Sequence, residues 1–569
     1  MSHDFEVTGG NTAAAFTLKL HRGDGMTLIA MNWKKKRPPR DFVGFAIEYQ
    51  EPDGDRFYAL TNRLTFPGIK RTKANLSTLR SPIQKFRWVH FPRNAELPGP
   101  FTYRVTPVFM NSLGELSYGE AQTAQIELAR ETYAGKVNVT FTRGFVSSQA
   151  FVERYESAGP ISTLLPAKAD DGLSFQPTHP KADEALEWMG FEARSAILEL
   201  LDEAIVDKHS KVYVVAYDLN EPEIVSRLLK LKKRLSIIID DSGTHGPAHS
   251  AESVAAGQLG ASPGAADVTR QHVGQLQHNK FIVVDGPKTK AAICGSTNFS
   301  WRGLYVQGNN ALVVRGAKAI QPFLYAFDAY RNDDSPAVFG GTSASNWTDL
   351  GITGVDAKVA FSPHTSSNAL LAKIAKDIET KTKSSLFYSL AFLYQTPGAM
   401  QDAIRSVMQD DDKFVYGISD KKVGGIEVQT PDGNVTPVFA AALGKNAPEP
   451  FHSEPKGGGG TRMHHKFVVI DFDRPTARVY LGSYNFSVTA DTKNGENLVL
   501  IKDRRIATSY MIEALRIFDH YHFRVAQQAA KAAKEKLELA PAPSAAGEEP
   551  WWQPYYTDAR RIRDRILFA

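Results

Sequence analysis

The sequence predicts an α/β protein, in which a duplicated body of alternating helices and strands follows a small β-sandwich. Three observations predict it. The first ~130 residues are short strand-like runs divided by turns. The texture then changes to helices alternating with strands. That alternation runs twice, and one polar motif recurs in each copy. At 569 residues the chain has room for about three or four domains. With 42% hydrophobic and 23% charged residues it has the profile of a globular protein rather than a disordered one.

The sandwich strands are expected at Met26–Trp33, Phe42–Tyr49, Arg56–Leu60, Lys85–Phe91, Phe101–Phe109 and Ala121–Leu128. Turn signals such as Asp53-Gly54 and Pro98-Gly99-Pro100 separate them. Tyr103–Phe109 alternates polar and apolar residues, as a half-buried strand does. The segment YRVTPVFMNSLGELSYGEAQTAQIEL resembles the end of a fibronectin type III module. In the body, Lys181–Asp207 and Glu221–Arg234 read as helices around the strands Val212–Leu219 and Leu235–Asp241. Strands Lys280–Asp285, Ala291–Cys294 and Ala311–Arg315 follow, and a helix from Ala319 closes the unit. The order then recurs. Strand Val359–Ser362, helix Asn368–Thr382, strand Leu386–Leu393, helix Gly398–Gln409 and strand Phe414–Ser419 lead to Phe467–Asp471, Arg478–Leu481 and Leu498–Ile501. A long helix, Ile506–Lys536, ends this copy, and Val137–Arg143 looks like the counterpart of Lys358–Pro363. The expected divisions are a sandwich over 1–132, a first half over 133–345, a second half over 346–539, and a linker and tail over 540–569. APAPSAAGEEP is the linker. Trp551, Trp552, Tyr555 and Tyr556 behind it are expected to dock back on the body, because exposed they would form a costly apolar patch, with a lipid-interface or partner anchor as the alternative.

Charge and cysteine content exclude several classes. Residues 1–130 carry 18 Lys/Arg against 12 Asp/Glu, a balance of +6, so the other 439 residues net −1 of the total +5. That is too mild to name a polyanionic partner. The single cysteine, Cys294, excludes an intrachain disulfide and a cysteine-cluster zinc site. The start lacks a basic n-region followed by an apolar stretch, and no run approaches about 18 apolar residues. The expectation is a cytoplasmic protein, with export by another route left open.

The motif carries the chemistry. One copy reads His278-x-Lys280-x4-Asp285, then Gly295-Ser296-Thr297-Asn298-Phe299-Ser300. The other reads His464-x-Lys466-x4-Asp471, then Gly482-Ser483-Tyr484-Asn485-Phe486-Ser487. The Asp-to-Gly interval is 10 positions in one copy and 11 in the other, and Asn298–Asn310 and Asn485–Asn497 are both 12 apart. One copy could be chance; two in register are a duplication. On a strand, residues i and i+2 share a face, so each His projects with its Lys. A core strand holds an imidazole and an ammonium at one end only if both face a polar pocket. The Gly-Ser-x-Asn segment brings a hydroxyl and an amide to the same mouth. Each copy is therefore a half-site for a phosphate, and two facing copies make a whole one. One imidazole attacks phosphorus while the other protonates the leaving oxygen. Lys280, Lys466, Asn298 and Asn485 would hold the non-bridging oxygens. Such a site needs no metal and no cofactor.

These paired motifs resemble the phospholipase D superfamily over roughly residues 135–535. The resemblance implies a two-lobed α/β/α sandwich with one shared active site, a covalent phosphohistidine intermediate released by water or an alcohol, and no divalent metal. It implies His278, Lys280, Asn298, His464, Lys466 and Asn485 as the catalytic set. Asp285 and Asp471 match the family's aspartates; five places beyond the lysine, they are expected to secure the fold. Ser296 and Ser483 are supporting residues. The family usually places a carboxylate near Glu496 that hydrogen-bonds a histidine, and Asn309 stands at that place in the first copy. A carboxylate raises an imidazole pKa. On that argument His464, backed by Glu496, is the general acid and His278 the nucleophile; the same carboxylate orienting a nucleophile is the alternative.

Other residues carry weaker expectations. His465 faces away from His464 and is read as a neighbour. His245, His249 and His272 lie in a Gly/Ala-rich stretch, 242–277, read as a long loop forming a lid or substrate wall; their spacing fits no zinc template. KGGGGT (456–461) is read as a flexible rim, Asp240-Asp241 as a cation partner or a turn cap, and Lys34–Arg37 as a solvated turn or an anion-binding run. The leading function is hydrolysis of a glycerophospholipid at a membrane surface to phosphatidic acid and a head-group alcohol, or transfer to another alcohol. The alternative is a nuclease acting on DNA or RNA, because MHHKFVVID, GSYNFS and TKNGENLVLI resemble the superfamily's short single-motif members. The net −1 of the catalytic part weighs against it. A non-catalytic scaffold is the third reading, opposed by intact motifs in both copies.

Overall fold

A computed structural model describes residues 5–128, 130–144, 148–261, 264–420, 423 and 463–569. The chain divides into two compact units.

One unit contains residues 1–130 and 508–569. Four strands, Glu6–Thr8, Phe16–Arg22, Thr27–Trp33 and Arg87–His90, form one antiparallel sheet. Tyr58–Ala59, Phe42–Gln50, Pro100–Met110, Leu116–Tyr118 and Gln122–Glu127 form the other. The alternation along Pro100–Met110 sends Phe101, Tyr103 and Val105 inward against Leu18, Leu20, Ile29 and Met31 of the opposite sheet. The tail closes the same core. Trp552 and Tyr555 are buried in it, the Trp551 indole donates to the Phe42 carbonyl at 3.0 Å, and the Phe568 carbonyl lies 2.7 Å from His21 Nε2. The expected boundary at 539 is therefore shifted: residues 508–569 cluster with the sandwich because their apolar and ionic partners are there. Arg87 donates to Asp564 at 2.6 Å and to Asp519 at 2.5 Å.

The second unit contains the described residues of 131–507 and shows the duplication directly. In the first half the sheet order is Val137–Phe141, Asn310–Arg315, Lys290–Gly295, Lys280–Asp285, Lys211–Ala216, Leu235–Ile239 and Asp267–Arg270. In the second it is Asp356–Ser362, Asn494–Lys502, Arg478–Gly482, Lys466–Ile470, Ser385–Leu390 and Phe414–Ile418, with Thr348–Asp349 added at the first edge. Val137–Phe141 and Asp356–Ser362 pair with equivalent strands, Asn310–Arg315 and Asn494–Lys502. Phe281–Val284 is fully buried, as a continuous apolar run in a central strand should be. Local signals set the flanking helices. Glu221 caps Pro222–Leu231 by accepting from the Ile224 amide, with Pro222 in the first turn.

One expectation is corrected. The stretch 242–277 is not a long loop: its described residues include a helix, Ala251–Gly260, and a strand, Asp267–Arg270. Ser250 caps the helix through the Ser253 amide, and Ala251, Ala255 and Leu259 bury one face at helical spacing. Small residues there serve close packing rather than looseness. The KGGGGT stretch lies outside the described residues. Among the described residues no helix is long and apolar enough to cross a membrane.

The two halves meet through backbone. Leu276–Gln277, just before His278, pairs in parallel with Asn494–Gly495 of the other half. Gly308, just before Asn309, bridges to Met463, just before His464. His278 therefore follows the residue paired with Gly495, beside Glu496, and His464 follows the residue bridged to Gly308, beside Asn309.

Candidate active site

His278 and His464 enter the site from the starts of equivalent strands, Lys280–Asp285 and Lys466–Ile470. Their ring centroids are 6.3 Å apart, and both side chains are buried. The lysine two places on lies on the same face. Lys466 Nζ donates to the His464 carbonyl at 2.8 Å, and Lys280 Nζ donates likewise to the His278 carbonyl. An aromatic ring lines each half: Tyr217 lies 4.7 Å from His278, and Phe392 lies 6.2 Å from His464.

The partner of each histidine comes from the opposite half. His278 Nδ1 is 2.9 and 2.8 Å from the two oxygens of Glu496, which is fully buried. His464 Nδ1 is 2.9 Å from Asn309 Oδ1 and 3.2 Å from the Ser296 carbonyl. This corrects the expected pairing of Glu496 with His464. The parallel pairing of Gln277 with Gly495 brings Glu496 to the first-half histidine, a crossing invisible in a linear repeat. The Asn309 amide donates to the Gly303 carbonyl at 2.8 Å, which turns its oxygen toward His464. Both Nδ1 atoms thus face acceptors and carry the proton, and both Nε2 atoms are left for chemistry.

The motif serines hold these partners. Ser483 Oγ donates to Glu496 at 2.6 Å and accepts the Asn497 amide at 3.0 Å. Ser296 Oγ donates to Asn309 at 2.9 Å and accepts the Asn310 amide at 3.1 Å. The preceding glycines, Gly295 and Gly482, have φ of 146° and 144°, and a Cβ at either would run into the carbonyl of Asn310 or Asn497. Asn298 and Asn485 follow two residues after the serines, and the Oδ1 atom of each is buried without a hydrogen-bond partner. An amide with its oxygen unpaired can turn over, and its NH2 is the group that could donate to an oxygen in the site. The aspartates lie far from the histidines, at the other end of the strand. Asp471 accepts the amides of Lys383, Ser384 and Ser385, and Asp285 pairs with Lys290. His465 is buried with its ring 5.8 Å from Phe141.

Burial dominates the electrostatics. It drives both imidazoles well below the ordinary histidine range, and Lys280 and Lys466 add to the effect. Burial lowers Lys466 far down and draws Lys280 down to about 8, while Glu496 is pushed up to about 8. Glu496 and Asp218 act the other way on both amines, and Asp240 does so on Lys280, without offsetting burial.

Sequence reasoning missed the layer behind His278. Asp240 accepts the Gln277 amide at 2.7 Å, and Asp420 accepts the Met463 amide at 3.4 Å, so each holds the residue before a site histidine. Asp240, expected as a cation partner or turn cap, caps the turn at Ser242, pairs with His245 and also holds this amide. Asp218, His245 and Glu252 bring ligand atoms within 4.8 Å of one another. However, His245 has a carboxylate at each ring nitrogen, Asp240 at 2.8 Å and Asp218 at 3.1 Å, and Glu252 takes the Leu219 amide at 3.0 Å. The cluster is closed by its own partners. His272 pairs with Asp241 at the surface.

Comparison with known proteins gives the following similarities. Residues 197–331 and 442–517 match the family model described as cardiolipin synthase, PLD-like domain. Over 48 residues the chain is 46% identical to a phospholipase D of Rickettsia prowazekii (strain Madrid E), covering 8% of this chain and 22% of that protein. The match to a phospholipase D of Rickettsia typhi (strain ATCC VR-144 / Wilmington) is 44% over the same shares. The chain thus spans about a fifth of the length of these curated relatives. Among solved structures, phosphatidylserine synthase of Haemophilus influenzae Rd KW20 aligns with TM-score 0.42 at 15% identity, covering 61% of this chain and 92% of that one. Nuc of Salmonella typhimurium, a phospholipase D family member, aligns with TM-score 0.20 at 24% identity, covering 25% and 87%.

Proposed function

Because the chain carries a phospholipase D-like domain, we propose that it is a metal-independent phosphodiesterase that hydrolyses a glycerophospholipid to phosphatidic acid and a head-group alcohol. The observation that carries this reading is the pair of opposed imidazoles, 6.3 Å between centroids, each with Nδ1 engaged and a lysine alongside. His278, with a carboxylate at Nδ1, is the nucleophile. Its Nε2 forms a bond to phosphorus as the bond to the leaving oxygen breaks, and Glu496 stabilises the cationic ring of the phosphohistidine. His464, on a neutral amide, is protonated once the anionic diester is bound and delivers that proton to the leaving oxygen. Water then attacks phosphorus, its proton passes to His464, and the P–N bond breaks. An alcohol in place of water gives transphosphatidylation. Lys280, Lys466, Asn298 and Asn485 hold the non-bridging oxygens through both steps. The names of the matched relatives support a lipid substrate. We read the N-terminal two-sheet module, whose closing strands resemble fibronectin type III, as an accessory.

The test is mass spectrometry of mixed phospholipid vesicles incubated with the protein in EDTA and a little ethanol, with His278→Ala as control. Phosphatidylethanol that vanishes in the variant is the expected result. Folded protein that yields no lipid product, yet cleaves single-stranded nucleic acid in a His278-dependent way, would replace the lipid reading with a nuclease.

A further inference from the structure

Behind His278 stands a third histidine that this chemistry does not use. His245 is buried with a carboxylate at each nitrogen: Nδ1 is 2.8 Å from Asp240 Oδ2, and Nε2 is 3.1 Å from Asp218 Oδ1. Burial works against the charge, but Asp218 and Asp240 outweigh it and raise the imidazole to about 10. Both nitrogens therefore carry protons. Two separate routes lead from this imidazolium to His278. Through the backbone, fully buried Asp240 also binds the Gln277 amide at 2.7 Å, with Ser242 donating from its amide at 3.0 Å and its hydroxyl at 2.6 Å. Gln277 is the residue that pairs with Gly495 beside Glu496. Through side chains, the Tyr217 ring lies edge-on between the two histidines, 4.5 Å from His245 and 4.7 Å from His278, with Lys280 Nζ 4.6 Å over it.

We propose that His245, clamped between Asp218 and Asp240, is a positioning residue for His278, setting the ring's orientation through Tyr217 and its backbone through Gln277. His245 does not touch the reacting atoms. The proposal rests on the phosphodiesterase reading for its effect on rate, but not for its structural content. With the clamp in place the Nε2 of His278 is aimed before substrate arrives; without it the ring must be oriented at the expense of the chemical step.

The experiment has two readouts. In the first, turnover of bis(p-nitrophenyl) phosphate is compared across wild type, His245→Ala, Glu496→Gln and the double variant. His245→Ala is expected to lower kcat by about 30-fold with KM within about twofold, the split of a transition-state effect. In the Glu496→Gln background it should cost no more than about threefold, because both act through the orientation of one ring. A kcat within threefold of wild type, or the same 30-fold loss in both backgrounds, overturns the proposal. In the second, NMR of 13Cε1-labelled histidine follows the His278 signal. A shift of that signal in folded His245→Ala is expected. An unshifted one overturns the proposal whether or not the protein turns over a phosphodiester, so failure of the positioning role and failure of the activity reading are separated. If His245→Ala does not fold, Asp218→Asn carries both readouts, since its amide oxygen still accepts from Nε2 without the charge; about a fivefold loss of kcat is then expected.

Discussion

Replacing Glu496 by Gln removes one charge and almost nothing else. Both carboxylate oxygens lie within 2.9 Å of His278 Nδ1, and Ser483 donates to one of them at 2.6 Å. An amide oxygen can take both the Nδ1 proton and the serine hydroxyl, as Asn309 Oδ1 does for His464 and Ser296. What disappears is the attraction between a fully buried carboxylate and the ring as it becomes cationic. Two unit charges about 4 Å apart interact by about 4 kcal/mol at an effective dielectric near 20. The amide dipole retains part of this, so a loss of about 2–3 kcal/mol is expected, or about 10²-fold in kcat. The assay is steady-state turnover of bis(p-nitrophenyl) phosphate at saturation, with thermal unfolding to show an intact fold. Rapid quench and peptide mapping should place the phosphoryl adduct on the peptide containing His278. A Glu496→Gln variant within threefold of wild type, or an adduct on the His464 peptide, would refute the assignment of roles.

Four further outcomes follow from the geometry. His464→Ala should abolish cleavage of diesters with alkoxide leaving groups yet retain measurable release of p-nitrophenolate, which needs no acid; equal losses on both substrates would remove His464 from that role. The pH profile of kcat/KM should be a narrow bell centred near 8. Glu496, raised to about 8, loses its carboxylate as pH falls, and Lys280, lowered to about 8, loses its cation as pH rises, so Lys280→Arg should move the alkaline limb upward. Asp564→Asn should destabilise the sandwich unit by about 1–3 kcal/mol in denaturant unfolding, because it takes one of two charged partners from Arg87, whose side chain is only 3% exposed, while Asp519 keeps its ion pair with that guanidinium. Asp519 is held at about 2 by Arg87 and Lys85 against the cost of burial, so its contribution to stability is present above the ordinary carboxylate range and lost as pH falls toward 2. Acid unfolding followed by circular dichroism should accordingly begin below about pH 4 and lose this step in Asp519→Asn.

Much of this protein is legible one residue after another. Apolar runs such as Phe281–Val284 announce buried strands, and the repeat of His-x-Lys with Gly-Ser-x-Asn announces two half-sites, because strand periodicity and turn chemistry are local properties. The duplication of sheet order follows from the same signals. The strand Phe16–Arg22 alternates polar Thr17, Lys19 and His21 with buried Phe16, Leu18 and Leu20 and is followed by the turn signal Gly23-Asp24-Gly25, so its local signal is present although the expected strands begin only at Met26. The helix Ala251–Gly260 escapes notice because its glycines suggest a loop, although the Ser250 cap and the alanines behind it are local helix signals.

What no local rule could supply is the partner of each histidine. Glu496 lies 218 positions from His278 and 32 from His464, and the nearer histidine is the wrong one. The choice is made where Gln277 pairs with Gly495 and Gly308 with Met463, a crossing that depends on how two complete sheets approach each other. The same holds for His245, which becomes a clamp only when the ends of three strands converge around Tyr217. Residue types and their spacing are enough to single out a duplicated site with two imidazoles. Which imidazole carries the negative partner is decided by long-range pairing, because a carboxylate acts on whatever lies within a few ångströms in space regardless of its distance along the chain.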